Sequence, residues 1–201
     1  MVTLARVNSH PTVHRAKGIF LLLCYNDIME TDKFQQRYLA HQAKKKEELI
    51  KIMKERHSNR MFSNQEVGDD IIDELLRVVD LAPSSCDRKA IKVKVIKDRD
   101  QKALLGGLLV GGVGWIHRAP AILLITADPE AYKAGDEIQF MPYLDGGVVA
   151  QQLALMATTL GVHGCICNPN MRAFNRDHYH KIFGPEILCL AFAVGYPFTE
   201  E

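Results

Sequence analysis

Apolar positions along the chain change their spacing several times, and each change marks an element. Between Asp69 and Pro83, the residues Ile71, Ile72, Leu75, Leu76, Val78, Val79 and Ala82 recur as one face of a helix. Asp69 and Asp70 suit the positive N-terminus of that helix, and Pro83 stops it. Ile91-Lys-Val-Lys-Val-Ile96 alternates apolar and basic residues before turning apolar, which predicts a strand. Asp98 to about Val110 predicts a helix that runs out into glycines. Ala121 to Thr126 is a continuous apolar run, of the kind buried on both faces of a sheet. The longest helix is predicted over Asp145 to Leu160, with Gly146 and Gly147 in its first turn and Gly161 at its end. Ala150, Leu153, Ala154 and Ala157 give it a small-residue side that can pack closely in a core or across a dimer. A short helix follows over Ala173 to Phe183, then a final buried strand over Ile187 to Val194, closed by Gly195-Tyr196-Pro197.

The front of the chain is less regular. Residues 1–30 show no clear period. From Thr31 to about Arg56 strong helix formers dominate, with Thr31 or Asp32 as the cap. Phe34, Tyr38, His41, Leu49, Ile52 and Met53 trace an apolar stripe, and Lys44 to Glu48 form a solvated face. This order of elements predicts an α+β or α/β domain with helices on both sides of one sheet.

Composition narrows the class. A chain of 201 residues, 47% apolar and 24% charged, buries a substantial core and is not a disordered polymer. Lys and Arg number 25 against 24 Asp and Glu, a net charge of +1 that argues against a dedicated nucleic-acid binder. No apolar run reaches the ~18 residues of a membrane span. Ile19 to Tyr25 is short and is followed by Asn26-Asp27 in place of a small-residue cleavage site, so a buried strand or helix edge is expected there. The cysteines, Cys24, Cys86, Cys165, Cys167 and Cys189, are odd in number and form no CxxC. Reduced thiols in a cytoplasmic protein are the expectation, with no metal site. In an extended Cys165-Ile-Cys167 the two thiols share a face.

Three segments can carry chemistry. Arg56-His57-Ser58-Asn59-Arg60 offers two guanidiniums and a hydroxyl, and in extended form Arg56, Ser58 and Arg60 point the same way, as a phosphate would need. Basic residues here equally answer the dipole of the preceding helix. Ala82-Pro83-Ser84-Ser85-Cys86-Asp87-Arg88 lies between a helix and a strand, where backbone and short hydroxyls can approach a planar ligand and Asp87 can accept from an imide-like N–H; it also reads as a plain turn. Gly161 to Asn170 follows the long helix, and Asn168-Pro169-Asn170 is a turn signal. The stretch from Gly106 to Gly114 lacks both a Walker pattern and a dinucleotide fingerprint and reads as a turned loop. With no triad, no Gly-x-Ser-x-Gly and no HExxH, no catalytic side chain is assigned, and a cofactor is expected to carry the chemistry.

Taken in order, these segments resemble the nitroreductase family of FMN-dependent oxidoreductases. Arg56-His-Ser-Asn-Arg60 is similar to the family's flavin-phosphate entry, and Ala82 to Arg88 to its Ala-Pro-Ser-Ser-x-Asn. Arg118-Ala-Pro-Ala-Ile-Leu-Leu-Ile125, the helix with Gln152 ending in Leu160-Gly161, and Ala193-Val-Gly-Tyr-Pro197 complete a likeness running from about Leu49 to Pro197. The resemblance implies a mixed sheet flanked by helices in an interlocked homodimer, with flavin at the subunit interface. Residues 49–201 would be the FMN-binding domain, and residues 1–48 a partly helical extension that can act as a dimer arm.

It further implies that Arg56, Ser58 and Arg60, with His57 nearby, hold the FMN phosphate and ribityl chain. Pro83, Ser84, Ser85 and Asp87 would line the flavin from the other subunit, and Asn168-Pro169 would face flavin N5 and O4. NAD(P)H would be the co-substrate, and a small acceptor such as a nitroaromatic or quinone the partner, with neither nucleic acid nor membrane. A flavin-binding dimer without turnover, or specialised flavin chemistry, is the alternative. This chain departs from the pattern at Asp87, which replaces an asparagine and places a negative charge that would lower the flavin potential. It departs again at Pro169, which lacks an N–H, and at Lys89-Ala90-Ile91 in place of Gln-Pro-Trp. Only Phe-Thr-Glu-Glu follows Gly-Tyr-Pro, so a missing basic phosphate ligand would have to come from Arg88, Arg172 or Arg176.

Overall fold

A computed structural model describes residues 11–133 and 135–199, with the backbone alone for 11–31. The apolar run Ala121–Ala127 forms β2, buried at every position, and the sheet is assembled around it. Ile91–Ile96 is β1, His163–Cys167 is β3 and Ile187–Gly195 is β4. The four strands lie in the order β1-β2-β4-β3. All three ladders are antiparallel, with Val93 opposite Ile125, Leu123 opposite Phe192 and Cys165 opposite Ala193. The parallel component is a single bridge between Ser58 and Gly164 at the free edge of β3.

Alternation along β2 and β4 divides the core in two. Leu123, Ile125, Phe192 and Val194 pack on one face with α2 (Asp69–Asp80) and α4 (Glu137–Thr159), through Ile72, Leu75, Val149 and Leu153. Ile122, Leu124, Ala191 and Ala193 pack on the other with α3 (Arg99–Leu108) and α5 (Ala173–Phe183), through Leu105, Leu108, Tyr179 and Phe183. Asp98 caps α3, its carboxylate accepting from the Gln101 N–H at 2.9 Å. Helices on both sides of one sheet, as the element order predicts, are thus found.

Three elements differ from expectation. The long helix begins at Glu137, eight positions before Asp145, so Gly146 and Gly147 lie in its interior and Pro142 is carried inside it. Ile138 and Met141 pack on the core from this added stretch, which outweighs the hydrogen bond that Pro142 cannot donate. β3 is a strand absent from the predicted order; its extended geometry buries both Cys165 and Cys167, the face-sharing expected of an extended segment.

Helix α1 spans Pro11–Glu55, so Thr31 and Asp32 are interior and not a cap. Gly18 is the only breaker after Pro11, and propagation needs no strong period once a helix has begun. Ile19 to Tyr25 is therefore helical and not a strand, and its side chains lie outside the described residues. The stripe residues Phe34, Tyr38, Leu49 and Met53 are exposed. The chain divides into two compact units between Lys51 and Ile52.

At Gly164 the edge strand passes so near β4 that a Cβ would run into the Ala193 carbonyl and stand 2.6 Å from the Phe192 ring. Gly164→Ala is expected to lower stability by about 1–3 kcal/mol, the range for overpacking. Urea denaturation of the two proteins measures it.

Candidate functional site

The segment after α1 is laid along the edge of β3. The Asn59 N–H donates to the Gly164 carbonyl at 3.0 Å. Farther along, Ser63 N–H donates to Tyr196 O at 3.0 Å and Phe198 N–H to Met61 O at 3.1 Å. His57 stacks on His163, ring centroids 4.6 Å apart, and its Nδ1 lies 2.9 Å from the Glu55 carbonyl. Burial, then the neighbouring His57, pulls the His163 pKa down.

Arg60 leads to the predicted segment from Gly161 to Asn170. Its guanidinium lies 5.5 Å from the centre of the Trp115 ring. Trp115 Nε1 donates to Gly111 O at 2.8 Å, and a Cβ on Gly111 would stand 3.3 Å from Cys167 Sγ and 3.6 Å from the Asn168 amide. Val110 N–H donates to Asn170 O at 2.9 Å, and Asn170 N–H to Asn168 Oδ1 at 3.1 Å, closing the turn over Pro169. The glycine-rich stretch is thus a tight turn that joins the 56–60 segment to Asn168 and Pro169. Burial pushes the Cys167 thiol up to about 11, so it is no nucleophile at neutral pH.

The loop after α2 is built differently. Cys86, Asp87 and Lys89 have φ of 51°, 54° and 51°, left-handed values that cost side-chain-bearing residues ~1–3 kcal/mol each. A buried carboxylate holds the loop there. Asp145 Oδ1 accepts from Ser85 N–H at 2.9 Å and Ser85 Oγ at 2.8 Å, and Oδ2 accepts from Tyr132 OH at 3.0 Å. Burial, then this hydrogen bond, raises the Tyr132 phenol well above its ordinary range. Lys89 N–H donates to Ser84 Oγ at 3.0 Å, and Lys89 Nζ to Ala82 O at 2.8 Å.

Arg88 donates to Glu137 at 2.6 Å and lies 5.6 Å from the Tyr132 ring centre. That pairing holds Glu137 below and Arg88 above their ordinary values. Arg88 is therefore already engaged by a carboxylate. Ser85 backs the loop through its hydroxyl, while Asp87 is exposed and pairs with Lys89 at 3.3 Å.

The predicted residues fall into two groups. Arg56, His57, Ser58 and Arg60 join Asn168 and Pro169 by way of Trp115 and Cys167, which belong to the α3 and α5 side of the sheet. Pro83, Ser84, Ser85 and Asp87 sit beside Ala82 and Tyr132, which belong to the α2 and α4 side. Asp145, Tyr132, Glu137 and His163 escaped the sequence reading. Of these only Asp145 left a signal, as an acid within the small-residue helix.

The nitroreductase family model matches residues 53–113 and 107–196. A Bacillus subtilis protein named FMN reductase [NAD(P)H] is 32% identical over 81 residues, covering 40% of this chain and 32% of that protein, so the match spans about a third of its length. An Archaeoglobus fulgidus protein bearing the name NADH dehydrogenase/NAD(P)H nitroreductase is 23% identical over 158 residues, 77% of this chain and 88% of that one. The structure of an FMN-dependent nitroreductase from Clostridium difficile R20291 superposes with a TM-score of 0.63 at 23% identity, covering 76% of this chain and 89% of that one. That likeness shows the fold.

Asp145→Ala would leave the Ser85 and Tyr132 donors unpaired and is expected to lower stability by about 1–3 kcal/mol in urea titrations. The Glu137 pairing has a definite pH window. Its pKa is depressed on folding, so the stabilisation is complete above the ordinary glutamate value of ~4.3 and is lost as pH falls through the folded value. Glu137→Gln is expected to be less stable than wild type at pH 7, with the gap closing toward pH 3.

Proposed function

The chain belongs to the nitroreductase family, and from that premise we propose an FMN-dependent oxidoreductase that takes hydride from NAD(P)H and delivers it to a small oxidised acceptor, a nitroaromatic or a quinone. The observation that carries this reading is the extended Arg56–Arg60 segment, pinned at Ser58 to Gly164 and joined through Arg60, Trp115 and Gly111 to Asn168. Arg56, Ser58 and Arg60 would hold the phosphate, and flavin, when bound, supplies the two-electron chemistry. Asn170 N–H is engaged by Asn168 and Pro169 has none, so the backbone and side-chain amides of Asn168 are the donors offered beside that turn. Asp87 is exposed to accept from an imide N–H, and its charge disfavours an anion nearby. No side chain is given a proton-transfer role.

The division of the predicted residues between opposite sides of one sheet supports an interlocked homodimer, in which a second copy brings Pro83 to Asp87 to the Arg56 segment of the first. Phe140, Leu144 and Val148 on α4 form an exposed apolar row at helical spacing, suited to that contact. Residues 1–48 would then serve as a dimer arm, and 49–201 as the flavin domain. No helix among the described residues is long and apolar enough to cross a membrane. The unpaired thiols of Cys86, Cys165, Cys167 and Cys189 suit a reducing cytoplasm.

Three measurements test the reading. Protein mixed with FMN and desalted should be yellow; colourless protein overturns it. Arg56→Ala should weaken FMN at least tenfold in a fluorescence titration while leaving riboflavin unchanged. Stopped-flow mixing with NADH or NADPH should bleach the bound flavin, whereas bound flavin that stays oxidised would assign a binding protein without turnover.

A further inference from the structure

A cavity of about 270 Å³ opens where the end of β1, the first half of α3 and the start of β2 meet. Ser63, Asn64, Glu66, Lys97, Lys102 and Arg118 line it, and none of them belongs to the flavin segments. We propose that this cavity binds a phosphate monoester carried on a hydroxylated sugar.

The cations are fixed before any ligand arrives. Lys97 Nζ donates to Val67 O at 3.0 Å and to Asp69 Oδ1 at 2.6 Å. Lys102 Nζ donates to Ala119 O at 2.9 Å and Pro120 O at 3.2 Å. Each ammonium keeps a further N–H to offer. Arg118 is exposed, and its guanidinium has no carboxylate partner among the described residues. Burial pulls the Lys102 ammonium below its ordinary value, while the carboxylates of Glu66 and Asp98 pull it up.

The shape of the donor set selects the anion. Three cations reach the cavity from the end of β1, from α3 and from the turn Ile116–Arg118, which suits a tetrahedral oxyanion better than a planar carboxylate. Glu66 would oppose a bare anion but accepts hydroxyl groups, and Ser63 Oγ, which accepts from Gln65 N–H at 3.3 Å, keeps its own O–H to donate. A phosphate with hydroxyls beside it satisfies both ends. The volume lies just under the ~300–1,000 Å³ typical of sites for drug-sized ligands, which suits a sugar phosphate and not a whole dinucleotide.

Calorimetric titration of the full-length protein, saturated with FMN, tests this with ribose 5-phosphate, inorganic phosphate and adenosine 5′-monophosphate. Ribose 5-phosphate should bind saturably, and Arg118→Ala should weaken it at least tenfold; that exposed side chain can be removed without disturbing the fold. Glu66→Gln should weaken ribose 5-phosphate and tighten inorganic phosphate, since the charge that opposes a bare anion is gone. Tighter binding of the nucleotide assigns a nucleotide as the source, and equal or weaker binding a free sugar phosphate. Absence of saturable binding, an unaltered Arg118→Ala variant, or binding abolished by FMN overturns the proposal. Protein that takes up no FMN is titrated as purified, so failure of the flavin reading leaves this test intact.

Discussion

The carboxylate of Asp145 sets the shape of the loop after α2 by tying Ser85 and Tyr132 to α4. It is buried within α4 between apolar and small neighbours, and it accepts from hydroxyl and amide donors. Burying a charge in this way is unfavourable unless its hydrogen bonds are made, so helix, loop and Tyr132 must assemble together. The left-handed backbone at Cys86, Asp87 and Lys89 follows from that assembly, because no glycine is present to adopt those angles without strain. The Arg88–Glu137 pair braces the same loop from the helix's first turn.

Much of the fold was legible because it rests on local periodicity. The strand Ile91–Ile96 and the helix Ala173–Phe183 coincide with their predicted bounds, and the buried run from Ala121 is the centre of the sheet. The failures share one cause. The long helix was expected only from Asp145, yet core packing by Ile138 and Met141 carries it back through Pro142 to Glu137. His163–Cys167 is too short and mixed to show a period, and becomes a strand only because β4 is there to pair with. Residues 11–30 show no period in the sequence, so the start of α1 at Pro11 left no local mark.

The site was legible in part for a similar reason. Arg56, Ser58 and Arg60 stand out by charge and alternation, and the edge of β3 holds the segment by a bridge at Ser58. Asn168 and Pro169 mark a turn from sequence alone. What joins them, the path from Arg60 through Trp115 and Gly111, is long-range and leaves no local trace. Ser85 illustrates the converse. Its hydroxyl looks available in the sequence, but Asp145, sixty positions away, has already engaged it.

The bridge between Ser58 and Gly164 has a further bearing. β3 is an edge strand of 5 residues, and the basic segment is what covers its outer side. An uncovered edge offers unpaired N–H and C=O groups to any other chain, the usual start of strand-to-strand aggregation. Whatever fastens the Arg56–Arg60 segment in place thus also keeps this edge of the sheet closed to its neighbours. Loosening that segment would open this edge to self-association.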